Sequence, residues 1–249
     1  MTSPRTDAGR RDEHPQRSAG SDRGHRAPMA PCPAEPAFRA ILAALALLAV
    51  AHAPVSAQDR AERHVQVTAL VGSAQPVGAL ADYQWDVRPH AAWGARVLAV
   101  SGPWSAGVRW WRGGTTQGLG LAGVSDPSVR TNSLELLAHA RVARWRNVEL
   151  AATASGGRLA VSWDPERLTV DTGGGPPVTV TLSSLHEWVA GAGVALALPL
   201  GGGWTWGVET ERRLFALDTA HRNGSTVSLA RETFGDWDAR VALTRGWDW

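Results

Sequence analysis

Lysine is absent from this sequence, and cysteine occurs once, at Cys32. A single cysteine excludes an intramolecular disulfide, so the fold must hold by packing or by a membrane. Also missing is an apolar run long enough to cross a bilayer as a helix. The longest, AILAALALLAVA at 40–51, has 12 residues, against about 20 for a helical span. Arg39 precedes it, HAPVSA follows, and Val55-Ser56-Ala57 forms a small-x-small site. That pattern predicts a secretory signal peptide over 29–57, cleaved after Ala57. A buried helix or an uncleaved anchor are the alternatives. Residues 1–28 are polar, charged and rich in Pro, Gly and Ser, the composition of a disordered extension. Met29 offers a second possible start.

An excess of one charge is lacking too. Residues 1–57 carry seven Arg against five acids, and removing them from totals of 25 and 23 leaves 18 and 18. The expected mature chain, 58–249, is therefore neutral apart from histidine. The basic whole-chain balance is no argument for a nucleic-acid partner, and none is expected.

No long 3.6-residue periodicity follows residue 57. Period-two alternation recurs instead, in eight runs at 64–75, 89–100, 105–116, 131–145, 148–162, 185–198, 204–217 and 226–249. In the fourth run Leu134, Leu136, Ala138, Ala140 and Val142 share a face opposite Glu135, His139 and Arg141. In the sixth, Trp188, Ala190, Ala192, Val194, Leu196 and Leu198 oppose Glu187. In the seventh, Trp204, Trp206 and Val208 oppose Glu209, Glu211 and Arg213. The last sets Trp237, Ala239, Val241, Leu243, Trp247 and Trp249 against Asp236, Asp238 and Arg240. Each run has one apolar side and one ionisable side.

The connections alternate as well. Short ones fall at 101–104, at 144–147 and after Leu200, and long ones near 76–88, 117–130, 163–184 and 218–225. This order predicts an all-β, eight-stranded up-and-down antiparallel barrel with both termini at the short-turn end. Trp104, Trp145, Trp204, Trp206, Trp247 and Trp249 lie at short turns or the terminus, and Trp85, Trp93, Trp163, Trp188 and Trp237 near the long loops. Trp110 and Trp111 fit neither group. Two aromatic bands around an apolar zone are what a bilayer requires of a barrel's outside. A soluble barrel reverses the plan, so the expectation is a transmembrane barrel.

The residues Val241, Leu243, Arg245, Trp247 and Trp249 form a closing strand that ends on an aromatic residue. With it, the chain resembles the small eight-stranded outer-membrane barrels of Gram-negative-type bacteria, the OmpA-like, OmpX-like and OmpW-like group. The resemblance is one of pattern over the whole mature chain. It implies residence in the outer membrane after export, and recognition of the last strand by the barrel-assembly machinery. Trp at the end instead of Phe, and Arg245 in the apolar register, depart from the family pattern.

An eight-stranded barrel encloses just enough space for side chains. The inward positions supply Arg96, Arg109, Arg141, Arg213 and Arg240 with Glu135, Glu149, Glu187, Glu209, Glu211, Asp236 and Asp238. Such groups cannot stay dry and unpaired, so a hydrogen-bonded ion-pair network with trapped water is expected. It could serve as a neutral plug, a proton or ion path, or a gated pore. Arg112 and Arg212 interrupt the outward apolar register, each eight residues after Trp104 and Trp204. At about 2.3 Å per tilted residue, they climb about 19 Å of a band about 25 Å tall. Contact with lipid phosphate, as in lipopolysaccharide, is the specific expectation, and simple snorkelling the alternative.

The expected function is a non-enzymatic outer-membrane barrel with a structural, surface-binding or narrow-permeation role. The alternatives are a lipid hydrolase or acyltransferase using His221 and Ser225, and a small-solute channel. Asn223-Gly224 between those two residues reads more simply as a hairpin turn. Histidines 64, 90, 139, 186 and 221 lack metal-ligand spacing, and no motif implies a metal or a cofactor.

Overall fold

The computed structural model describes residues 63–120, 124–171, 175–223 and 226–248. The expected extension, the signal peptide and Trp249 lie outside these. In chain order the strands are β1 (Arg63–Pro76), β2 (His90–Ser101), β3 (Trp104–Thr116), β4 (Ser128–Trp145) and β5 (Val148–Asp164). The short β6 (Arg167–Val170) and β7 (Val178–Thr181) follow, then β8 (Leu185–Gly201), β9 (Trp204–Asn223) and β10 (Thr226–Asp248). Eight of them close a ring in the order β1-β10-β9-β8-β5-β4-β3-β2, and β6 and β7 form a separate two-stranded sheet. All neighbours in the ring are antiparallel.

Each alternating run of the sequence falls on one of the ring strands. The expected loop at 218–225 is a correction. Above the ring, β9 and β10 continue as a paired ribbon, with Thr219 opposite Ala230 and Asn223 opposite Thr226. Alternation marks a strand only where one face meets apolar material, and this ribbon stands clear of that zone. The 163–184 connection likewise contains the β6–β7 hairpin, whose Val178 and Val180 are exposed.

Alternation becomes an inverted polarity across the wall. Leu134, Leu136, Val71, Val97 and Val194 point outward and are exposed, Leu136 to 70%. Opposite them, Glu135, Arg109, Arg213, Asp238 and Arg240 are buried at 1–3%. An outside this apolar is stable only against hydrocarbon, so the wall is a transmembrane one.

The lumen is layered. At the long-loop end, the connection after β1 turns inward through a 3-10 helix, Gly78–Tyr83. There Leu80 and Trp85 pack with Val129, Leu159, Val161, Val189, Phe215, Leu217 and Phe234. This apolar cap corrects the placing of Trp85 and Trp163 in an outer aromatic band. Trp85 is 7% exposed inside the cap, and Trp163 packs against it. Below the cap lies the ionic layer. Below that, a cavity of about 500 Å³ is lined by the short-turn residues Gly102 and Trp104 together with Arg96, His139, Arg141 and Glu209.

Candidate functional site

The ionic layer draws on five strands. Arg109 of β3 donates to Glu211 of β9, with one contact at 3.0 Å, and to Glu135 of β4. Arg213 grips Asp236 of β10 through two parallel bonds, Nε to Oδ1 at 2.9 Å and a second at 2.6 Å. It also reaches Glu135 at 3.2 Å and Asp238 at 2.9 Å. Arg240 pairs with Glu211 and Asp238, and its guanidinium lies 4.7 Å from the centre of the Trp111 ring. Arg96 of β2 pairs with Glu209 and donates to Thr68 at 3.3 Å.

Four guanidiniums thus face five carboxylates. Ser133 donates to Glu135 and Ser155 to Glu211, supplying further hydrogen bonds that dry carboxylates need. Space for this is set by Gly191, where a Cβ would stand 2.2 Å from Glu211 Oε1 and 2.6 Å from Ser155 Oγ.

Nine of the twelve expected interior residues belong to this layer: Arg96, Arg109, Glu135, Glu209, Glu211, Arg213, Asp236, Asp238 and Arg240. The other three need correcting in position. Arg141 and Glu149 pair at 3.2 Å, about a third exposed, at the short-turn mouth. Glu187 pairs with Arg231 at the opposite rim, beside Asp218. Alternation gives the side of the wall but not the height, so it does not separate these three from the central layer. Trp111 was also missed. It shares its parity with Arg109, which is the signal for its place in the lumen, although it belongs to neither aromatic band.

Side chains tie the cap to the rim. Tyr83 donates to Glu232 at 2.6 Å and stands edge-on to Phe234, with ring centres 5.5 Å apart. Burial, then the Glu232 bond, raises its phenol above the ordinary value. Trp163 donates to Gln117, which donates to the Tyr83 carbonyl. Nearby, hydrogen bonds from Arg88 hold the Asp86 carboxyl well below the usual carboxylate range.

On the outside, Trp104, Trp145, Trp204, Trp206 and Trp247 are exposed near the short-turn end, and Trp93, Trp188 and Trp237 nearer the long loops. Arg245 bonds the Gly202 carbonyl in a turn of three left-handed glycines, 201–203. Its guanidinium lies 5.3 Å and 6.0 Å from the Trp204 and Trp247 ring centres. The departure it makes from the apolar register is thereby accounted for: the charge ties the turn to the closing strand. β10 itself pairs with β1 from Asp236–Pro76 to Asp248–His64.

Arg112 and Arg212 face outward as expected. Arg158 joins them on β5, where the small residues of ATASGG hide the alternation.

Among the described residues no group of three or more His, Cys, Asp or Glu could hold a metal ion. The expected pair His221 and Ser225 has no described side chains. The nearest described approach to a relay is His90. Its Nε2 lies 3.0 Å from Thr115 Oγ1 and 3.6 Å from Asp86 Oδ2. A nucleophile and an orienting acid must engage opposite ring nitrogens, and here both meet the same one.

No family model and no curated protein matches the sequence. Solved structures similar in shape include Neisserial surface protein A, at 11% identity and a TM-score of 0.42, covering 74% of this chain and 96% of that one. The outer membrane protein AlkL, solved in lipid bilayers, has 12% identity and a TM-score of 0.42, covering 79% and 95%. A major outer membrane protein from Thermus thermophilus has 15% identity and a TM-score of 0.42, covering 74% and 99%.

Proposed function

We propose that the protein is a non-enzymatic, non-conducting barrel of the outer membrane that presents its long-loop end as a surface. The observation carrying this reading is the double seal of the lumen. A buried ionic layer in which Arg109, Arg213 and Arg240 meet Glu135, Glu211, Asp236 and Asp238 lies directly beneath an apolar cap. An ion crossing it would have to break buried pairs and then enter a hydrocarbon-like layer, both costly. The inverted polarity of the wall supports membrane residence. Export by the 29–57 segment and recognition of β10 by an assembly machinery complete the proposal.

The solute-channel alternative meets the same seal. The hydrolase alternative gains no support from the described side chains, since His90 offers one nitrogen to both neighbours. Protein recovered from the outer-membrane fraction and inserted into planar bilayers is expected to show no stepwise conductance. Steady conductance, or recovery of the chain as a soluble periplasmic monomer, would overturn the reading.

A further inference from the structure

Three arginines on the lipid-facing side of the wall differ from Arg88, Arg130 and Arg231, which lie near the same long-loop end. Arg130 pairs with Asp164, Arg231 with Glu187 and Asp218, and Arg88 with Asp86. Arg112, Arg158 and Arg212 have no carboxylate partner among the described residues. Each stands opposite a tryptophan in the strand register instead: Arg112 opposite Trp93, Arg158 opposite Trp188 and Arg212 opposite Trp237. The guanidinium of Arg158 lies 4.7 Å from the Trp188 ring centre, and that of Arg212 lies 5.5 Å from the Trp237 ring centre.

The three come from β3, β5 and β9, spread around the ring. Following the register through Asn132, Ala160 and Ala192, with strands tilted by about 40°, their Cα atoms fall within about 4 Å of one level. That level is the tryptophan band farther from the short turns, where an apolar membrane zone gives way to headgroups.

A cation here has two ways to be satisfied: reach water alone, or meet an anion that the membrane supplies. A guanidinium laid on an indole face keeps its edge N–H groups free, and that edge is a fork matched to two phosphate oxygens. A neighbouring carboxylate would occupy the fork; among the described residues none is paired with these three, and Asp236, which attracts Arg212, is itself gripped by Arg213. We infer that Arg112, Arg158 and Arg212 form a belt that binds the phosphate of a phosphorylated lipid headgroup in the leaflet at the long-loop end. Trp188 and Trp237 hold the guanidiniums of Arg158 and Arg212 at headgroup height with their forks toward the bilayer surface, and Trp93 stands across the register from Arg112. The inference rests on the transmembrane reading but is independent of whether the lumen conducts.

The test uses the full folded protein in phosphatidylcholine nanodiscs, with lipid A as the probe and native mass spectrometry to count the lipid retained. The triple variant R112Q/R158Q/R212Q is expected to retain lipid A about tenfold less well or worse. The corresponding triple Lys variant, with charge but no fork, is expected to fall between the two. Inorganic phosphate at millimolar concentration is expected to leave lipid A in place. Should the triple Gln variant lose the heat-shifted gel mobility of a folded barrel, Arg158→Gln alone carries the test, because that side chain is exposed. Equal retention by the wild type and a folded Gln variant overturns the inference, as does displacement of lipid A by inorganic phosphate. Conductance is expected to stay absent in every variant, which separates failure of the belt from failure of the sealed lumen.

Discussion

Arg213→Ala is expected to lower the unfolding free energy by about 3–5 kcal/mol, the range for removing one partner from a buried ionic cluster. Arg213 is 2% exposed and engages Asp236, Asp238 and Glu135 at once. Truncating it leaves three buried carboxylates with Arg109 and Arg240 as their remaining cations. The loss comes from stranded charge more than from a missing bond. Urea unfolding in vesicles, followed by tryptophan fluorescence, measures it. A companion variant, Arg213→Met with Asp236→Leu, removes charge of both signs and is expected to lose less than Arg213→Ala alone. If the single and double variants are equally damaged, packing rather than charge explains the layer.

Val108→Arg carries the second large effect and tests the solvent outside the wall. Val108 is 43% exposed and lies midway along β3 between Trp104 and Arg112. In water an arginine there would be neutral or would improve solubility. At the middle of a bilayer it is expected to cost about 2–4 kcal/mol, whereas an arginine near the interface costs about 0–1 kcal/mol. Four residues higher on the same face, Arg112 is native, so one strand supplies both the probe and its control. Vesicle unfolding of Val108→Arg and Arg112→Val reads the difference, and an unaffected Val108→Arg protein would remove the hydrocarbon from the argument.

Much of this architecture is legible in the sequence because a membrane makes alternation strict. In β10, one side must satisfy lipid from Trp237 to Trp247 while the other meets Arg213 and Glu211 through Asp236, Asp238 and Arg240, so the two faces cannot mix. Where that demand stops, the legibility stops with it. The β9–β10 ribbon beyond Leu217 carries no continuous apolar side to reveal it, and the β6–β7 hairpin shows its apolar side, Leu168, Val170, Val178 and Val180, over only four residues a strand. Leu80 and Trp85 fold into the lumen because the mouth of the ring offers them Val161, Phe215 and Phe234, residues far away in sequence. The aromatic bands do not account for Trp110 and Trp111, adjacent residues that parity sends to opposite sides of the wall. Trp110 packs edge-on against Trp93 at 4.7 Å between ring centres, while Trp111 lies under Arg240. Two neighbouring tryptophans look like a single girdle feature until the register of Arg109 assigns each a side.

The ionic layer also bears on how the barrel comes together. Arg109 on β3 finds Glu211 on β9, 102 residues later, and Arg213 on β9 finds Glu135 on β4, 78 residues earlier. An incomplete sheet inside a bilayer would hold these groups in hydrocarbon with their partners still elsewhere. Such intermediates are penalised from both ends of the chain, so the last strands arrive together or the whole sheet withdraws. Equilibrium unfolding is therefore expected to be all-or-none, with reporters on β2 and on β9 giving coincident transitions. Separated transitions would mean that half of the wall can stand without its charge partners.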